Sequence, residues 1–414
     1  MSTPAELNRE RQHVGNLRER VERELRGNIL PFWLKYGPDD QYGGFRGQIA
    51  NDLTIDPVAH KGLILNARIL WTFSKAHKVF GDEVYLRTAQ RANEYLRRNL
   101  WDSEFGGFYW MLDHLGRPVE TKKRIYGQAF AVYALAEYAS ATGEREPTER
   151  AAALYNLIED FSRDEENGGY LETFDRDWTL AREQRLSEVD MDEKKSMNTH
   201  LHLLEAYANL LRVWEDERLR ERLRELLRIF LDRIINPDTH HFRMFFDDQW
   251  HDRSDRVSFG HDIEGSWLLC EAAQVLEDRA ILAEARAASV PMAQAVYEQA
   301  VDQDGGLFYE GQRNQIIDSD KHWWPQAEAV VGFMNAYELS GKYYFLKAAV
   351  KSWDFIEKYI VDHERGEWYW LVSREGKPSN SKYKVDPWKC PYHNSRACFE
   401  VMHRLDNLDQ QAKP

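Results

Sequence analysis

The sequence predicts an all-α protein, an (α/α)6 barrel of about twelve helices with short β-hairpins in the long loops. Three observations lead to this class: a glycine–aromatic signature that recurs six times, helical periodicity between the copies, and a regular alternation in polarity from one helix to the next. Repeats of this length indicate one supersecondary unit stacked many times. We therefore expect residues 1–414 to form a single barrel domain.

The recurring signature is a pair of glycines followed by an aromatic or aliphatic residue, with two degenerate copies. In chain order the copies begin at Gly43, Gly106, Gly168, His240, Gly305 and Gly366. The spacings between these starts are 63, 62, 72, 65 and 61 residues, so six units cover nearly the whole chain. A short alternating stretch rich in aromatic residues follows each copy, and together they predict a small hairpin.

Between the signatures, apolar residues recur with the period of an amphipathic helix. Candidate helices, two per unit, cover approximately residues 10–36, 62–80, 83–100, 126–142, 148–162, 197–214, 217–235, 261–277, 279–300, 323–340, 343–361 and 391–406. The odd-numbered helices are rich in charge, whereas the even-numbered helices are more apolar on all faces. An open solenoid needs polar caps, and neither end of the chain shows one. We therefore expect the even-numbered helices to form an inner ring within an outer ring.

Composition narrows the classes of partner. Lys and Arg number 55 against 69 Asp and Glu, a net charge of −14 that repels phosphate backbones and anionic membranes. We expect neither nucleic acid nor a membrane as a partner. Three cysteines and a polar N-terminus predict a reduced, cytoplasmic protein. Fourteen tryptophans exceed the needs of a core and favour a surface that stacks on carbohydrate.

Polar and aromatic residues cluster where the even-numbered helices begin. In order of unit, these residues are Asn66 and Arg68, Tyr126, Ser196 to His202, Gly260 to Glu264, His322 to Glu328, and Trp388 to Asn394. If the ring closes, the six helix starts meet at one mouth. This convergence, more than any single motif, predicts an active site.

Three histidines, His202, His261 and His393, come from three different units. The positive end of a helix dipole disfavours an imidazolium in the first turn, so we expect neutral imidazoles that can act as general bases. Two of them on opposite faces of a substrate could remove and return a proton. The three could instead bind zinc, because Glu264 and Glu205 follow two of them at metal-site spacing.

Other residues at the helix starts have two interpretations each. Arg68 could neutralise a developing oxyanion, or it could pair with a carboxylate such as Glu264. Tyr126 could donate to a sugar hydroxyl or simply pack. Trp324 and Trp388 lie at helix starts, where an indole is placed to stack on a sugar.

Five ordered segments resemble those of the cellobiose 2-epimerase family, within the N-acylglucosamine 2-epimerase superfamily. They are 66–71 (NARILW), 196–202 (SMNTHLH), 258–264 (SFGHDIE), 322–328 (HWWPQAE) and 388–394 (WKCPYHN). The resemblance spans nearly all the chain and implies an (α/α)6 barrel that interconverts cellobiose with glucosyl-mannose and lactose with epilactose. It implies a disaccharide substrate and no metal or nucleotide cofactor. We expect a monomer, with a homodimer as the alternative.

The resemblance also implies roles for single residues. His261 and His393 match the acid–base pair that exchanges the C2 proton, and His202 matches a histidine implicated in ring opening. The residues that match substrate-binding or supporting positions are Arg68, Tyr126, Asn198, Asp190, Glu264, Trp324, Glu328 and Trp388. In the implied mechanism a cis-enediolate forms, rotates about C2–C3 and is protonated on its opposite face.

Three alternatives stay open at this point. Relatives in the superfamily act on mannobiose, mannose or N-acetylglucosamine through similar histidines. An inverting glycoside hydrolase on the same fold would use Glu264 with Asp190 or Glu328, about 6.5–9.5 Å apart. A non-catalytic sugar-binding protein would not need three converging histidines.

Overall fold

The computed structural model describes residues 16–313 and 315–411. Within these residues twelve helices alternate with short strands, which confirms the predicted barrel class. In chain order they are α1 (16–36), α2 (Leu63–Phe80), α3 (Glu83–Tyr95), α4 (Ile125–Thr142), α5 (Arg145–Phe161), α6 (Met197–Leu211), α7 (Glu217–Ile229), α8 (Phe259–Leu276), α9 (Arg279–Ala300), α10 (Trp323–Ser340), α11 (Tyr343–Phe355) and α12 (Tyr392–Gln411).

The helix boundaries lie close to the predicted ones. α12 is the exception, because it continues to Gln411 instead of ending near residue 406. The first predicted helix begins at residue 10, and its part before residue 16 lies outside the described residues. Five-residue π-helical turns, in which the backbone winds more widely, occur within α1 and directly after α3, α7 and α11.

The helices form two concentric rings because their burial differs in the predicted way. In α4, an inner helix, the side chains from Ile125 to Ala139 are buried without interruption. In α7, an outer helix, the buried positions are Leu219, Leu223, Leu226 and Leu227, a single stripe on a charged helix. Each inner helix packs on the next: α2 on α4, then α6, α8, α10 and α12. In the described part of the chain, no helix has the length and apolar character needed to cross a membrane.

The ring closes where the last unit meets the first. The Thr72 hydroxyl of α2 donates to the Pro391 carbonyl at 3.0 Å, just before α12, and lies 3.2 Å from the Ser395 hydroxyl. The loops that precede α2 and α12 also pair, because the Ile49 amide donates to the Val385 carbonyl at 2.9 Å. An open solenoid would leave these groups unpaired, so the chain forms a closed barrel.

The expected short hairpins are present, and most of the short strands also pair between units. The strands are β1 (Lys61–Gly62), β2 (Met111–Leu112), β3 (Pro118–Glu120), β4 (Lys123–Arg124), β5 (Thr173–Phe174), β6 (Lys195–Ser196), β7 (Phe245–Phe246), β8 (Arg256–Ser258), β9 (Glu310–Gln312), β10 (Gln315–Asp318), β11 (Lys321–His322) and β12 (Leu371–Val372). Five antiparallel pairs each join a strand before an inner helix to the strand after the next signature. They are β1–β2, β4–β5, β6–β7, β8–β9 and β11–β12. Only β2–β3 and β9–β10 are local pairs among the described strands. Two-residue strands are too short to pair stably alone, so the barrel holds them in register.

The signature itself is a tight turn that requires left-handed backbone. Gly107 has a φ of 70°, and a Cβ atom there would lie 2.6 Å from the Trp178 ring. Glycine is the residue that takes this conformation without steric cost. In one degenerate copy, Glu367 adopts the same region with a φ of 62°.

A buried lysine links most signatures to the strand before an inner helix, a feature that the sequence reasoning missed. Lys123 donates to Asp102 at 3.0 Å, and both side chains are fully buried. Equivalent pairs are Lys61–Asp39, Lys195–Asp164, Lys321–Asp302 and Lys384–Asp362. The available signal was the acidic residue three or four positions before each of these signatures.

Asp102 accepts hydrogen bonds from both Lys123 and Arg176. We expect Asp102→Asn to destabilise the barrel because it leaves these two cations without a carboxylate partner. Breaking a buried ion pair costs about 3 kcal/mol. The control is Glu146→Gln, which removes an exposed partner of Arg150 and should cost less than about 0.5 kcal/mol. Urea unfolding followed by circular dichroism measures both, and equal losses would contradict this role for Asp102.

Candidate active site

The inner helices begin at one end of the barrel and place two layers of side chains in its lumen. The outer layer comes from the first turns and comprises Tyr126, His261, Trp324 and His393. The inner layer lies one turn deeper and comprises Arg68, Phe130, His202, Glu264, Glu328 and Arg396. The second layer follows from helix geometry, because residues three or four apart share one face.

His393, in the first turn of α12, is backed by a carboxylate. Its Nδ1 lies 2.7 Å from Glu328 Oε1, and the side chain is buried. Burial disfavours the imidazolium and lowers the pKa of His393 well below its usual value, and the cations Arg68 and Arg396 lower it further. The ring is therefore neutral at pH 7.

His261, in the first turn of α8, is backed by a hydroxyl. Its Nδ1 lies 2.7 Å from Ser258 Oγ, and its ring centroid is 4.7 Å from that of Trp324. The side chain stays partly exposed at the mouth, but the surrounding protein desolvates the ring and lowers its pKa to about 3. Trp324 also lies 5.6 Å from the His393 ring, so it contacts both histidines.

His202 departs from the expected position, because it lies in the second turn of α6. Its Nδ1 is 3.1 Å from Glu205 Oε2, and its ring contacts Tyr126 and Phe130 at centroid distances of 5.0 and 4.5 Å. The helix dipole acts in the first turn, so it can affect His261 and His393 but not His202. For both of these, burial is the first cause of the lowered pKa.

The backing groups fix which ring nitrogen is available for chemistry. A carboxylate only accepts, so Nδ1 of His202 and of His393 carries the proton that Glu205 and Glu328 receive as a hydrogen bond. Nε2 of each ring has no hydrogen-bond partner among the described residues. It therefore presents a lone pair that can accept a proton.

Arg68 is a buried cation whose partners are not carboxylates. Its Nη2 donates to the Tyr126 hydroxyl at 2.9 Å and its Nη1 to the Trp388 carbonyl at 3.4 Å. The guanidinium also lies over the Phe130 ring at 4.2 Å. The alternative in which Arg68 pairs with Glu264 is wrong, since no acidic side chain of the described residues lies within ion-pair distance. An uncompensated buried cation attracts negative charge that develops beside it.

Glu264 and Glu328 share a cation that the sequence reasoning missed. Arg396 Nη2 donates to Glu264 at 2.5 Å and to Glu328 at 2.6 Å. Ligand atoms of Glu264, Glu328 and His393 lie within 4.8 Å of one another, a spacing that would suit a metal ion. In this structure the guanidinium supplies the positive charge between the two carboxylates. Its signal in the sequence was its position three residues after His393, as Glu264 follows His261.

Burial sets the charge of these carboxylates as well. Desolvation, with the neighbouring Glu328 as the next cause, raises the pKa of Glu264 to about 7, and its Oε2 is buried without a hydrogen-bond partner. Desolvation also raises the pKa of Glu328. For Glu205, burial acts in the same direction, but Arg396 and His202 outweigh it and hold the pKa at about 2.

The remaining predicted residues lie around the mouth in two places. Trp388 packs at the rim of the lumen, on the side that holds the histidines. Its ring centroid lies 5.8 Å from that of Tyr126. Asp190 and Asn198 line a separate small pocket beside the start of α6. Asp190 accepts from the Ser187 hydroxyl at 2.5 Å, and Asn198 Oδ1 is buried without a partner. Asp190 makes no hydrogen bond to the three histidines in the described structure.

This arrangement of histidines and backing carboxylates occurs in a chain whose residues 43–397 match the family model of N-acylglucosamine 2-epimerase (GlcNAc 2-epimerase). The chain belongs to the N-acylglucosamine 2-epimerase family. It is 44% identical over 387 residues to a cellobiose 2-epimerase of Bacteroides fragilis, covering 93% of this chain and 98% of that protein. It is 41% identical over 385 residues to one of Ruminococcus albus, covering 93% and 98%.

A solved structure agrees with the family assignment. The cellobiose 2-epimerase from Bacillus thermoamylovorans superposes with a TM-score of 0.90 at 40% identity, covering 94% of this chain and 100% of that one. The two bacterial relatives are cellobiose 2-epimerases, which are carbohydrate epimerases, so this chain is an isomerase. The predicted family and class of enzyme are therefore confirmed.

A large cavity of this epimerase family member lies at the other end of the barrel. It has a volume of about 1540 Å³ and is lined by the ends of the inner helices, including Lys75, Glu271, Glu400 and Arg404. None of the three histidines lines it. The groups suited to proton transfer lie at the opposite end, so size alone does not locate the site.

His200 lies close to the site residues in sequence, but its role is structural. Its Nε2 accepts from the Tyr170 amide at 3.0 Å and its Nδ1 lies 2.7 Å from the Ser196 carbonyl. Gln128 and Gln326 hold the matching signatures of two other units in the same way. The fourth residue of an inner helix therefore binds the hairpin, whereas the fifth or sixth faces the lumen.

Proposed function

We propose that this chain is a cellobiose 2-epimerase, which interconverts glucose and mannose at the reducing end of β-1,4-linked disaccharides. Cellobiose then gives glucosyl-mannose, and lactose gives epilactose. The observation that carries the proposal is the pair of neutral imidazoles, His261 and His393, which both contact Trp324 in one lumen. The cellobiose 2-epimerases among its relatives support the choice of substrate.

The reaction needs an open-chain sugar, because only an aldehyde at C1 makes the C2 proton acidic. We assign ring opening to His202, which lies deeper than His261 and His393, with its Nε2 available to take the proton of the C1 hydroxyl. Breaking the C1–O5 bond then gives the aldehyde, and the O5 atom takes up a proton to become a hydroxyl.

Epimerisation then requires two proton transfers at C2. Nε2 of one histidine takes the C2 proton. The electron pair of that bond forms a C1–C2 double bond while the carbonyl π pair moves to the C1 oxygen, which gives a cis-enediolate. Arg68 and the Tyr126 hydroxyl stabilise the charge on the oxygen. After rotation about C2–C3, the imidazolium of the other histidine returns a proton to the opposite face.

The two histidines are not equivalent partners. Glu328 behind His393 is a carboxylate that stabilises the imidazolium formed during the reaction, whereas Ser258 behind His261 is neutral. We therefore assign different intrinsic basicities to the two faces. Such a difference suits a reaction whose two epimers differ in stability.

The carboxylate geometry argues against an inverting hydrolase that uses Glu264 and Glu328. Both bond the same nitrogen of Arg396, and their closest oxygen atoms lie within 4.8 Å of each other. An inverting hydrolase places its carboxyl groups about 6.5–9.5 Å apart to admit a water molecule. This pair lacks that space.

Proton NMR of cellobiose incubated with the protein in heavy water tests the proposal. We expect the C2 proton signal of the reducing sugar to disappear while a mannosyl anomeric signal grows, with the same rate in the presence of EDTA. Release of glucose without a mannosyl product would overturn the proposal in favour of a hydrolase. Parallel reactions with lactose, mannobiose and mannose identify the substrate, and turnover of mannose alone would contradict the assignment to disaccharides.

We further propose a cytoplasmic monomer. Cys270, Cys390 and Cys398 are all buried and unpaired, which fits a reducing compartment. Sedimentation velocity tests the oligomeric state, and a stable dimer at micromolar concentration would overturn it.

A further inference from the structure

Arg396 lies at the centre of the inner layer and contacts three carboxylates from three different helices. Its Nη1 donates to Glu205 of α6, and its Nη2 donates to Glu264 of α8 at 2.5 Å and to Glu328 of α10 at 2.6 Å. The side chain is 1% exposed, so water does not screen these contacts. One guanidinium therefore connects half of the inner ring.

Aromatic rings hold this guanidinium in place. It lies over the Tyr392 ring at 4.5 Å and over the Trp267 ring at 4.9 Å. The Tyr392 hydroxyl also donates to Glu205, and the Trp267 indole donates to Glu328 at 3.1 Å. The fork is thus fixed in orientation as well as in position.

Two of the three carboxylates that bind Arg396 also form a hydrogen bond with a histidine. Glu205 bonds Arg396 through Oε1 and His202 through Oε2, whereas Glu328 uses Oε1 for both Arg396 and His393. His261 is different, because its Nδ1 partner is the Ser258 hydroxyl. Arg396 is therefore connected to His202 and to His393 by one bridging carboxylate each. No such carboxylate connects it to His261.

We propose that Arg396 is a positioning residue that holds His202 and His393 as Nδ1-protonated tautomers by keeping Glu205 and Glu328 ionised and fixed behind them. This inference rests on the proposed function for its kinetic consequence. It assigns no contact between Arg396 and the sugar.

The sign of the electrostatic effect follows from the charges that face this cluster. The groups facing His393 and Arg396 are Arg68, Tyr133, His202, Glu205, His261, Glu264, Glu328 and Tyr392. Burial and then the Arg68 and Arg396 cations lower the pKa of His393. Removing the Arg396 charge raises that pKa, so a larger fraction of His393 is protonated at a given acidic pH and cannot act as a base.

Arg396→Met and Arg396→Lys separate the charge from the geometry. In Arg396→Met we expect kcat to fall about 100-fold, the range of a misplaced general base, with KM changed less than about threefold. The acidic limb of the kcat–pH profile should move up by about 1 pH unit. Arg396→Lys keeps the charge and loses the fork, so kcat should fall about 10-fold while the limb stays in place.

A matched control comes from a second arginine–glutamate–tyrosine cluster, which surrounds the buried Glu159 outside the lumen. Arg222 donates to Glu159 at 3.0 Å, and Glu159 also accepts from Tyr170 and Tyr207. Arg222→Met should lower the melting temperature as a structural role predicts, yet leave kcat and the pH profile unchanged. Equal kinetic effects in Arg222→Met and Arg396→Lys would overturn the proposal.

A spectroscopic measurement tests the tautomers without any substrate. In protein labelled with 15N-histidine, we expect His202 and His393 to be protonated on Nδ1 in the wild type and to become mixtures in Arg396→Lys, with His261 unchanged. Unchanged His202 and His393 tautomers would overturn the inference, whatever the activity. A wild-type protein that exchanges no C2 proton would instead overturn the proposed function, so the two failures are distinguishable. If Arg396→Met does not fold, Arg396→Lys provides both readouts.

Discussion

Replacing either His261 or His393 with alanine should abolish epimerisation and yet leave proton exchange at C2 of one epimer. Each histidine faces one side of C2 in the proposed mechanism, so a protein with one of them can still remove and return a proton on that side. Inversion needs both. We expect epimerisation rates to fall by about 10³- to 10⁴-fold in each variant, since a general base contributes up to that range.

The decisive measurement is which epimer loses its C2 proton in heavy water. His261→Ala and His393→Ala should exchange opposite epimers, one acting on cellobiose and the other on glucosyl-mannose. Exchange of the same epimer by both variants would contradict a mechanism with two bases. His241→Asn is the matched control, because His241 is also buried and pairs with a carboxylate, Asp262, at 2.7 Å. It should keep epimerisation within about threefold of wild type, outside the range of a lost base.

Arg68→Met should lower kcat by about 10²- to 10³-fold, the cost of removing one donor from a developing oxyanion. Arg68 is a buried cation without an acidic partner among the described residues, so its charge is free to stabilise an enediolate at C1. KM should change less than kcat, because the charge appears only as the reaction proceeds. Steady-state kinetics on cellobiose measures both constants.

Tyr126→Phe serves as the control for Arg68→Met. It removes the hydroxyl that Arg68 Nη2 contacts at 2.9 Å and keeps the cation. We expect a loss of about 10-fold, as for a single neutral hydrogen bond. If Arg68→Met raises KM and leaves kcat unchanged, Arg68 binds the ground state and our assignment of its role is wrong.

The order of the helices was predictable because it depends on short-range patterns. Apolar residues on every face indicated an inner helix, and a single apolar stripe indicated an outer one, as α4 and α7 illustrate. The number and spacing of the signatures gave six units. The depth of His202 was predicted wrongly, because its distance from the helix start was not distinguished from that of His261 and His393.

Pairings between units were not predictable in the same way. A local pair such as β2–β3 could be expected from the sequence, whereas only the packing of neighbouring units brings β1 beside β2. The buried lysines fall in the same category. Their partners are acidic residues one hairpin away, and a lysine in a strand is ordinarily exposed.

The sequence by itself determined the repeat, the two rings and the family, because these depend on local periodicity and on ordered motifs. The tertiary structure alone decided that Glu328 stands behind His393 and that Arg396 joins the carboxylates. Arg396 meets Glu328, Glu264 and Glu205 across 68, 132 and 191 residues of chain, and no local pattern encodes such contacts. They exist because ring closure brings the second turns of separate helices into one dry lumen, where buried carboxylates need a cation.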